Sequence, residues 1–328
     1  PTIVPTEHFE PVLYTGNGSS QSISTLDFQP DTIWIKSRSE TGHHSLFDSV
    51  RGIYQYLTPN QTGAEIDRTS NSAGVTSFDS NGFSVNDPGG SGENYYVNQN
   101  NVTYAAWNWK AGGTAVSNTD GTITSQVSAN VDAGFSIVKW TAESTVGTVG
   151  HGLSTTPELI IFKRLDTSQD WYVETDSIDG SYDYLVLNST AAKVDGSGAW
   201  STRADSTTIT SFTGTANADY IAYCFHSVDG MSRIGSYVGT GTSGNAIVTG
   251  FRPAFVMVKA SNGNTNWVIV DNKRGYGNNL SANTSLAEYL TVNGQGQEIE
   301  FLSNGFEVNT YSSWTNGNNT NYIYMAFA

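Results

Sequence analysis

Three segments of the sequence repeat one strand-like pattern, and this repetition constrains the fold more than any other feature. Each segment begins at a proline, continues through β-branched and aromatic residues and ends at a lysine: Pro30–Lys36, Pro157–Lys163 and Pro253–Lys259. An aromatic residue precedes each segment at a similar distance: Tyr14, Trp140 and Tyr237. An aromatic strand follows each one further on: Tyr104–Trp109, Tyr220–Phe225 and Tyr322–Phe327. Anchors in the same order at similar spacing predict an internal triplication.

The length of the repeat predicts a domain rather than a solenoid unit. About 90 residues separate the first and last anchors of a copy, enough for a small antiparallel sandwich. We therefore predict an all-β protein of three tandem antiparallel β-sandwich units, jelly-roll-like, covering residues 1–112, 132–228 and 229–328. Residues 113–131, rich in Gly, Ser, Thr and Asn, are predicted to form a linker. The alternative arrangement places the three units around one pseudo-threefold axis, like paired propeller blades.

Local motifs predict further details of the units. Asn81-Gly82 and Asn304-Gly305 lie between apolar runs and predict tight type I′ hairpins. The closing aromatic strands are apolar at nearly every position, which predicts burial on both faces. The pairs Asp48–Arg51 and Asp271–Arg274 each precede a glycine, which is typical of a turn. We expect these pairs to be structural and partly exposed rather than ligand sites, so that Arg51→Ala costs little unless Arg51 also packs.

Charge and composition limit the partners of the chain. The formal net charge is −15 in 328 residues, which disfavours nucleic acid and anionic membranes as partners. The apolar runs are too short for a transmembrane segment, and the first residues do not resemble a signal peptide. These features predict synthesis in the cytoplasm without membrane insertion. The single cysteine, Cys224, excludes an intrachain disulfide and a thiolate zinc site.

A search for catalytic patterns favours a protein that is not an enzyme. No nucleophile elbow or phosphate-binding loop occurs. His43 and His44 are adjacent, so in a strand they point to opposite faces and do not share a metal. Glu298 and Glu300 could lie on one strand face, as glycoside hydrolysis requires, but neither recurs in the other repeats. We therefore predict no catalytic residues, no metal and no cofactor.

Aromatic residues outside the repeat pattern are the candidate contact residues. Most aromatics recur at equivalent strand positions, which indicates a core role. Five do not recur and lie in polar, glycine-rich loops: Tyr95, Tyr96, Trp200, Tyr311 and Trp314. Two interpretations are open for them. They are either lids folded back over the sandwiches or contact residues for a glycan or a neighbouring subunit.

Several of these stretches resemble a known family. The resembling stretches are Tyr14–Gly18, Phe28–Lys36, Leu46–Gly52, Ala106–Gly113, Gly150–Leu153, Pro157–Lys163, Tyr220–His226, Gly250–Lys259 and Asn266–Arg274. They resemble an uncharacterised, repeat-bearing family of tailed-phage virion proteins, common in marine phages and assigned to tail fibres and other structural parts. No catalytic residues come with this resemblance.

The resemblance implies a non-enzymatic structural protein of a bacteriophage particle, acting as a tail fibre, spike or decoration subunit. It implies location in the virion, partners among copies of itself or other virion proteins, and contact with host-surface glycans. The low charge and tandem β-units favour an extended rod outside the cell. The alternatives are a glycan-processing enzyme, for which one unit should carry an acidic cleft of its own, and a free carbohydrate-binding lectin.

Overall fold

The fold is all-β and antiparallel. The structure, a computed structural model, describes residues 3–87, 97–180, 183–196, 203–211, 216–290, 299–309 and 312–328. Within these ranges the helical content is a single 3-10 turn, Pro5–Glu7. No helix in the described ranges has the length and apolar character needed to cross a membrane. Below, the first, second and third units denote residues 1–112, 113–228 and 229–328.

The strands fall into three successive groups. The first unit contains β1 (Phe9–Thr15), β2 (Gln21–Ile23), β3 (Thr32–Ser37), β4 (Ser45–Asp48), β5 (Gln55–Tyr56), β6 (Ile66–Asp67), β7 (Gly74–Asp79), β8 (Gly82–Asn86) and β9 (Thr103–Trp109). The second contains β10 (Val116–Asn118), β11 (Ser125–Asn130), β12 (Phe135–Thr141), β13 (Thr148–Gly150), β14 (Leu159–Arg164), β15 (Tyr172–Thr175), β16 (Asp183–Val186), β17 (Val194–Asp195), β18 (Thr208–Thr210) and β19 (Asp219–Phe225). The third contains β20 (Ser232–Val238), β21 (Asn245–Val248), β22 (Phe255–Ala260), β23 (Val268–Asp271), β24 (Asn278–Ser281), β25 (Tyr289–Leu290), β26 (Ile299–Leu302), β27 (Gly305–Val308) and β28 (Asn321–Phe327).

The main sheet of every unit contains the same four-strand order. The orders are β1-β9-β3-β4, β12-β19-β14-β15 and β20-β28-β22-β23. Three aromatic pairs stack at equivalent places between the first and closing strands, with interplanar angles of 14–15°: Tyr14–Tyr104, Trp140–Tyr220 and Tyr237–Tyr322. The repeated lysines also share one register, each opposite the second residue of the aromatic strand segment. This common pairing is what an internal triplication predicts, although the triplication itself stays a prediction from the sequence.

Each closing strand separates two cores. A smaller second sheet packs on the main sheet: β2-β8-β7 in the first unit, β13-β18 in the second and β21-β27-β26 in the third. A separate apolar cluster fills each of the three sandwiches. The opposite faces of the three main sheets contribute to one common cluster, the shared core. Nearly all closing-strand residues are therefore buried, as the apolar sequence of these strands predicts.

The shared core places the units around a centre rather than along a rod. Rings from all three units meet there: Phe9 lies 4.9 Å from Phe327, and Trp109 lies 6.4 Å from Phe225, between ring centroids. Phe225 in turn lies 5.9 Å from Phe327. Of the two arrangements left open by the sequence, the shared core favours the one in which the units surround a common centre. The expectation of an extended rod was wrong, because the outer faces of β9, β19 and β28 are apolar and bury one another.

The predicted linker, residues 113–131, contains two strands. β11 pairs with β12 from Ser125–Trp140 to Asn130–Phe135, and β10 pairs with β11. Both therefore extend the main sheet of the second unit, and Val127 is buried in its sandwich core. The abundance of Gly, Ser and Thr concealed these strands, because β10 has no buried residue and only Val127 and Ala129 of β11 are apolar.

The hairpins at Asn81-Gly82 and Asn304-Gly305 form, but not as type I′ turns. Asp79 pairs with Gly82, so the turn residues are Ser80 and Asn81, and Gly82 begins β8. A Cβ at Gly82 would lie 1.8 Å from the Ile23 carbonyl oxygen, and one at Gly305 would lie 2.0 Å from that of Ile247. Glycine is therefore required here by the close approach of the adjacent strand.

Candidate functional site

Only one of the five candidate contact aromatics lies within the described residues. Tyr95, Tyr96, Trp200 and Tyr311 fall outside them. Trp314 is half-buried and packs against the sandwich core of the third unit. Both interpretations of Trp314 stay open, because its side chain contacts the core and is also partly exposed.

The loop that carries Trp314 has a counterpart in the first unit. The Tyr14 hydroxyl donates to the Val97 carbonyl at 2.5 Å, and the Tyr237 hydroxyl donates to the Thr315 carbonyl at 2.5 Å. Thr315 therefore occupies the place of Val97, and one tyrosine of the first strand holds the loop in both units.

The Asp–Arg turn pairs are structural, but they are buried rather than partly exposed. The side chains of Asp48 and Arg51 have no solvent exposure, and the same holds for Asp271 and Arg274. The Nε atom of the arginine donates to the aspartate at 2.5 Å in the first pair and 2.6 Å in the second. The expectation of partial exposure was therefore wrong. Because solvent does not screen a buried pair, Arg51→Ala falls under the exception made for an arginine that also packs.

A closing strand from another unit covers each pair. The Tyr223 hydroxyl of the second unit donates to Oδ2 of Asp48 at 2.7 Å. The Trp107 indole N–H of the first unit donates to Oδ2 of Asp271 at 2.9 Å, and its ring centroid lies 5.6 Å from the Arg274 guanidinium carbon. The two ion pairs thus connect units whose sequences lie more than a hundred residues apart.

The second unit replaces this polar contact by an apolar one. Pairing of Leu159 with Thr175 makes Thr175, rather than Asp176, the counterpart of Asp48. Three residues later stands Ile178, which belongs to the shared core together with Met325 of the third unit. Met325 occupies the place of Trp107 and Tyr223 on its closing strand and has no N–H or O–H to donate. The turn without the buried Asp–Arg pair therefore shares the core with the closing strand whose side chain lacks a donor.

The three repeated lysines are buried and held by main-chain carbonyls. Lys36 donates to the Ser37 carbonyl at 2.6 Å, and Lys259 donates to the Ala260 carbonyl at 2.6 Å. Lys163 donates to the carbonyls of Gln169 at 2.8 Å and of Thr62, in the first unit, at 3.0 Å. Burial lowers the pKa of Lys36 to about 7 and the pKa values of Lys163 and Lys259 to about 8.

The buried lysines predict a protein that becomes more stable as the pH rises above neutrality. Their pKa values are lower in the folded chain than the usual 10.5, so the unfolded chain binds more protons between pH 7 and pH 9.5. We expect the free energy of unfolding to increase by about 2 kcal/mol or more over this range, and Lys36→Met to reduce that increase. Urea unfolding at a series of pH values measures it. Constant or falling stability across this range would contradict the prediction.

An open cleft on the third unit is the clearest place for a ligand. It has a volume of about 400 Å³, and its floor is formed by Val270 of β23 and by Ile299 and Phe301 of β26. Its wall is the turn that follows Asp271, where the Tyr276 side chain is 57% exposed. The volume lies within the range of about 300–1,000 Å³ that is typical of small-molecule sites.

Polar groups of different character surround this apolar floor. The rim carries the guanidinium of Arg252, the amide of Asn272 and the carboxylate of Glu300. Arg252 donates to the Phe301 carbonyl at 2.5 Å, which fixes one end of its guanidinium over β26. Asp271 also borders the cleft, but its carboxylate accepts hydrogen bonds from Arg274, Trp107 and two backbone N–H groups. Its oxygens are therefore committed to the fold, which leaves Glu300 as the carboxylate that faces the cleft.

In the first unit, the position that corresponds to the cleft is closed. Val75 pairs with β8 as Ile299 pairs with β27, so Val75 is the counterpart of Ile299. The Tyr54 backbone N–H donates to the Val75 carbonyl at 3.1 Å, which holds the turn after Asp48 against β7. The cleft on the third unit is therefore not a general property of the repeat. One feature of the sequence marks this place, the large aromatic Tyr276 between two glycines.

The other residues considered for chemistry are used structurally. The His44 ring accepts the Trp34 indole N–H at 2.8 Å and contacts the Ser281 carbonyl at 3.1 Å, and burial lowers its pKa well below the usual value. His43 contacts Asn60 and Gln61 instead. Both histidines precede β4, so their different partners follow from the loop rather than from the alternation of a strand. Glu298 lies outside the described residues, so its pairing with Glu300 is not described. Among the described residues, no group of three His, Cys, Asp or Glu side chains could hold a metal ion.

Comparison with known proteins identifies a family for the chain. The family model described as "Domain of unknown function (DUF7483)" matches residues 4–328, which is nearly the whole chain. The chain therefore belongs to this family. No curated protein and no solved structure matches it significantly.

Proposed function

We propose that this member of the DUF7483 family is a non-enzymatic structural protein of a bacteriophage particle, a tail fibre, spike or decoration subunit that contacts host-surface glycans. The observation that carries the proposal is the shared core, in which three β-sandwiches are joined by apolar packing and by buried ion pairs. Such a block resists local unfolding, which suits a building element outside the cell. The resemblance of the repeat motifs to tailed-phage virion proteins supports the same role.

Assembly with copies of itself or with other virion proteins is part of the proposal. Trp314 is half-buried at the surface of the third unit, and a partner could cover its outer face. The open cleft beside Tyr276 supports contact with glycans, and it would equally serve a free lectin.

The proposal is tested on purified phage particles. We expect mass spectrometry to detect the chain in particles, and a cryo-electron-microscopy reconstruction to show its three-unit density at the capsid, tail or fibre. A chain that is absent from purified particles but present in the lysate would contradict the virion assignment. Trp314→Ala should weaken its assembly, while Ile53→Ala, at an exposed turn of the first unit, serves as the control.

A further inference from the structure

We infer that the cleft beside Tyr276 binds a neutral saccharide. The inference rests on the proposed function for its biological meaning, and on the shape and chemistry of the cleft for the binding itself. Its volume of about 400 Å³ and its open mouth admit a sugar from solvent. The described residues that line it all belong to the third unit.

The two kinds of surface in the cleft match the two kinds of surface on a pyranose ring. A pyranose has C–H groups on its face and hydroxyl groups around its edge. Val270, Ile299 and Phe301 offer an apolar floor, and the exposed Tyr276 ring offers a face for stacking. A ligand that is polar all round would not use this floor, and a purely apolar one would leave the rim unpaired.

The rim can satisfy hydroxyl groups, which both donate and accept. Glu300 has two acceptor oxygens, Arg252 supplies planar donors, and Asn272 supplies both. Planar groups of this kind can bond two neighbouring hydroxyls at once. The lining of the cleft thus combines an aromatic wall with three planar polar side chains.

The charge of the site and of the chain points to a neutral sugar. Arg252 and Glu300 balance each other at the rim. The chain as a whole carries a formal net charge of −15, which repels acidic polysaccharides and nucleotides before they reach the cleft. A sugar without carboxylate or phosphate avoids that repulsion.

Saturation-transfer-difference NMR on the full chain tests the inference. The probes are the methyl glycosides of glucose, galactose, mannose and N-acetylglucosamine, with galacturonic acid as the acidic comparison. We expect transfer to at least one neutral glycoside and a weaker signal for galacturonic acid. Tyr276→Ala should weaken binding of that glycoside by about tenfold, the loss typical of one well-packed aromatic contact.

Two further variants make the result specific to the cleft. Glu300→Gln keeps the shape of the rim but removes its charge, and we expect it to weaken binding as well. Ile53→Ala alters the exposed turn of the first unit and should leave binding unchanged. Three results would overturn the inference. They are no transfer to any neutral glycoside, binding by both cleft variants that is as strong as binding by the unaltered chain, and stronger binding of galacturonic acid than of the neutral glycosides. Detection of the chain in purified particles is a separate test. If the chain is found there, the virion role holds even when the saccharide inference fails.

Discussion

Replacing Asp271 by alanine is expected to lower the free energy of unfolding by about 3–5 kcal/mol, because it leaves the Arg274 guanidinium buried without its carboxylate. The same change also leaves the Trp107 indole N–H of the first unit without its acceptor, because this group donates to Asp271. Equilibrium urea unfolding, followed by far-UV circular dichroism, measures the loss. The exposed pair Arg164–Asp166 provides the matched control, since Asp166→Ala should cost about 0–1 kcal/mol.

A gentler variant separates the contact between units from the ion pair itself. Tyr223→Phe removes the hydroxyl that donates to Asp48 and keeps the ring, so we expect a loss of about 1–3 kcal/mol. This variant should fold even if Asp271→Ala does not. If Tyr223→Phe and Asp166→Ala have equally small effects, the buried pairs do not join the units energetically and our interpretation of them fails.

Replacing Phe327 by alanine is expected to destabilise all three units together, by about 3–5 kcal/mol. Its ring centroid lies 4.9 Å from Phe9, 5.7 Å from Trp109 and 5.9 Å from Phe225, so it contacts rings of the first and second units. Removing it leaves a cavity where the three main sheets meet. Hydrogen exchange should therefore become faster in β9 and β19 as well as in β28.

Phe306 is the matched control, because it is fully buried in the same unit but in the sandwich core. Its ring contacts Tyr237 and Tyr324, both of the third unit. We expect Phe306→Ala to accelerate exchange first in β21, β26 and β27. Faster exchange confined to the third unit in the Phe327→Ala variant would show that the units are stable independently, contrary to our expectation.

The sequence by itself determined the recurring strands, the burial of the closing strands and the hairpins between neighbouring strands. The segment Pro30–Lys36 predicted a strand that starts just after a proline, and the structure has β3 at Thr32–Ser37. The apolar closing strands predicted burial on both faces, and Asn81-Gly82 predicted a hairpin. These features are readable because a strand alternates its side chains with a fixed period and a hairpin joins residues close in the chain.

Only the tertiary structure decided which units touch and what their contacts bury. The hydrogen bond from Tyr223 to Asp48 spans 175 residues, and no local spacing announces it. It converts a turn pair that looks exposed in sequence into a buried ion pair. The cleft beside Tyr276 likewise depends on where the turn after Asp271 stands relative to β26. Sequence patterns record the period of each strand, whereas burial and clefts depend on packing between distant segments, which that period does not encode.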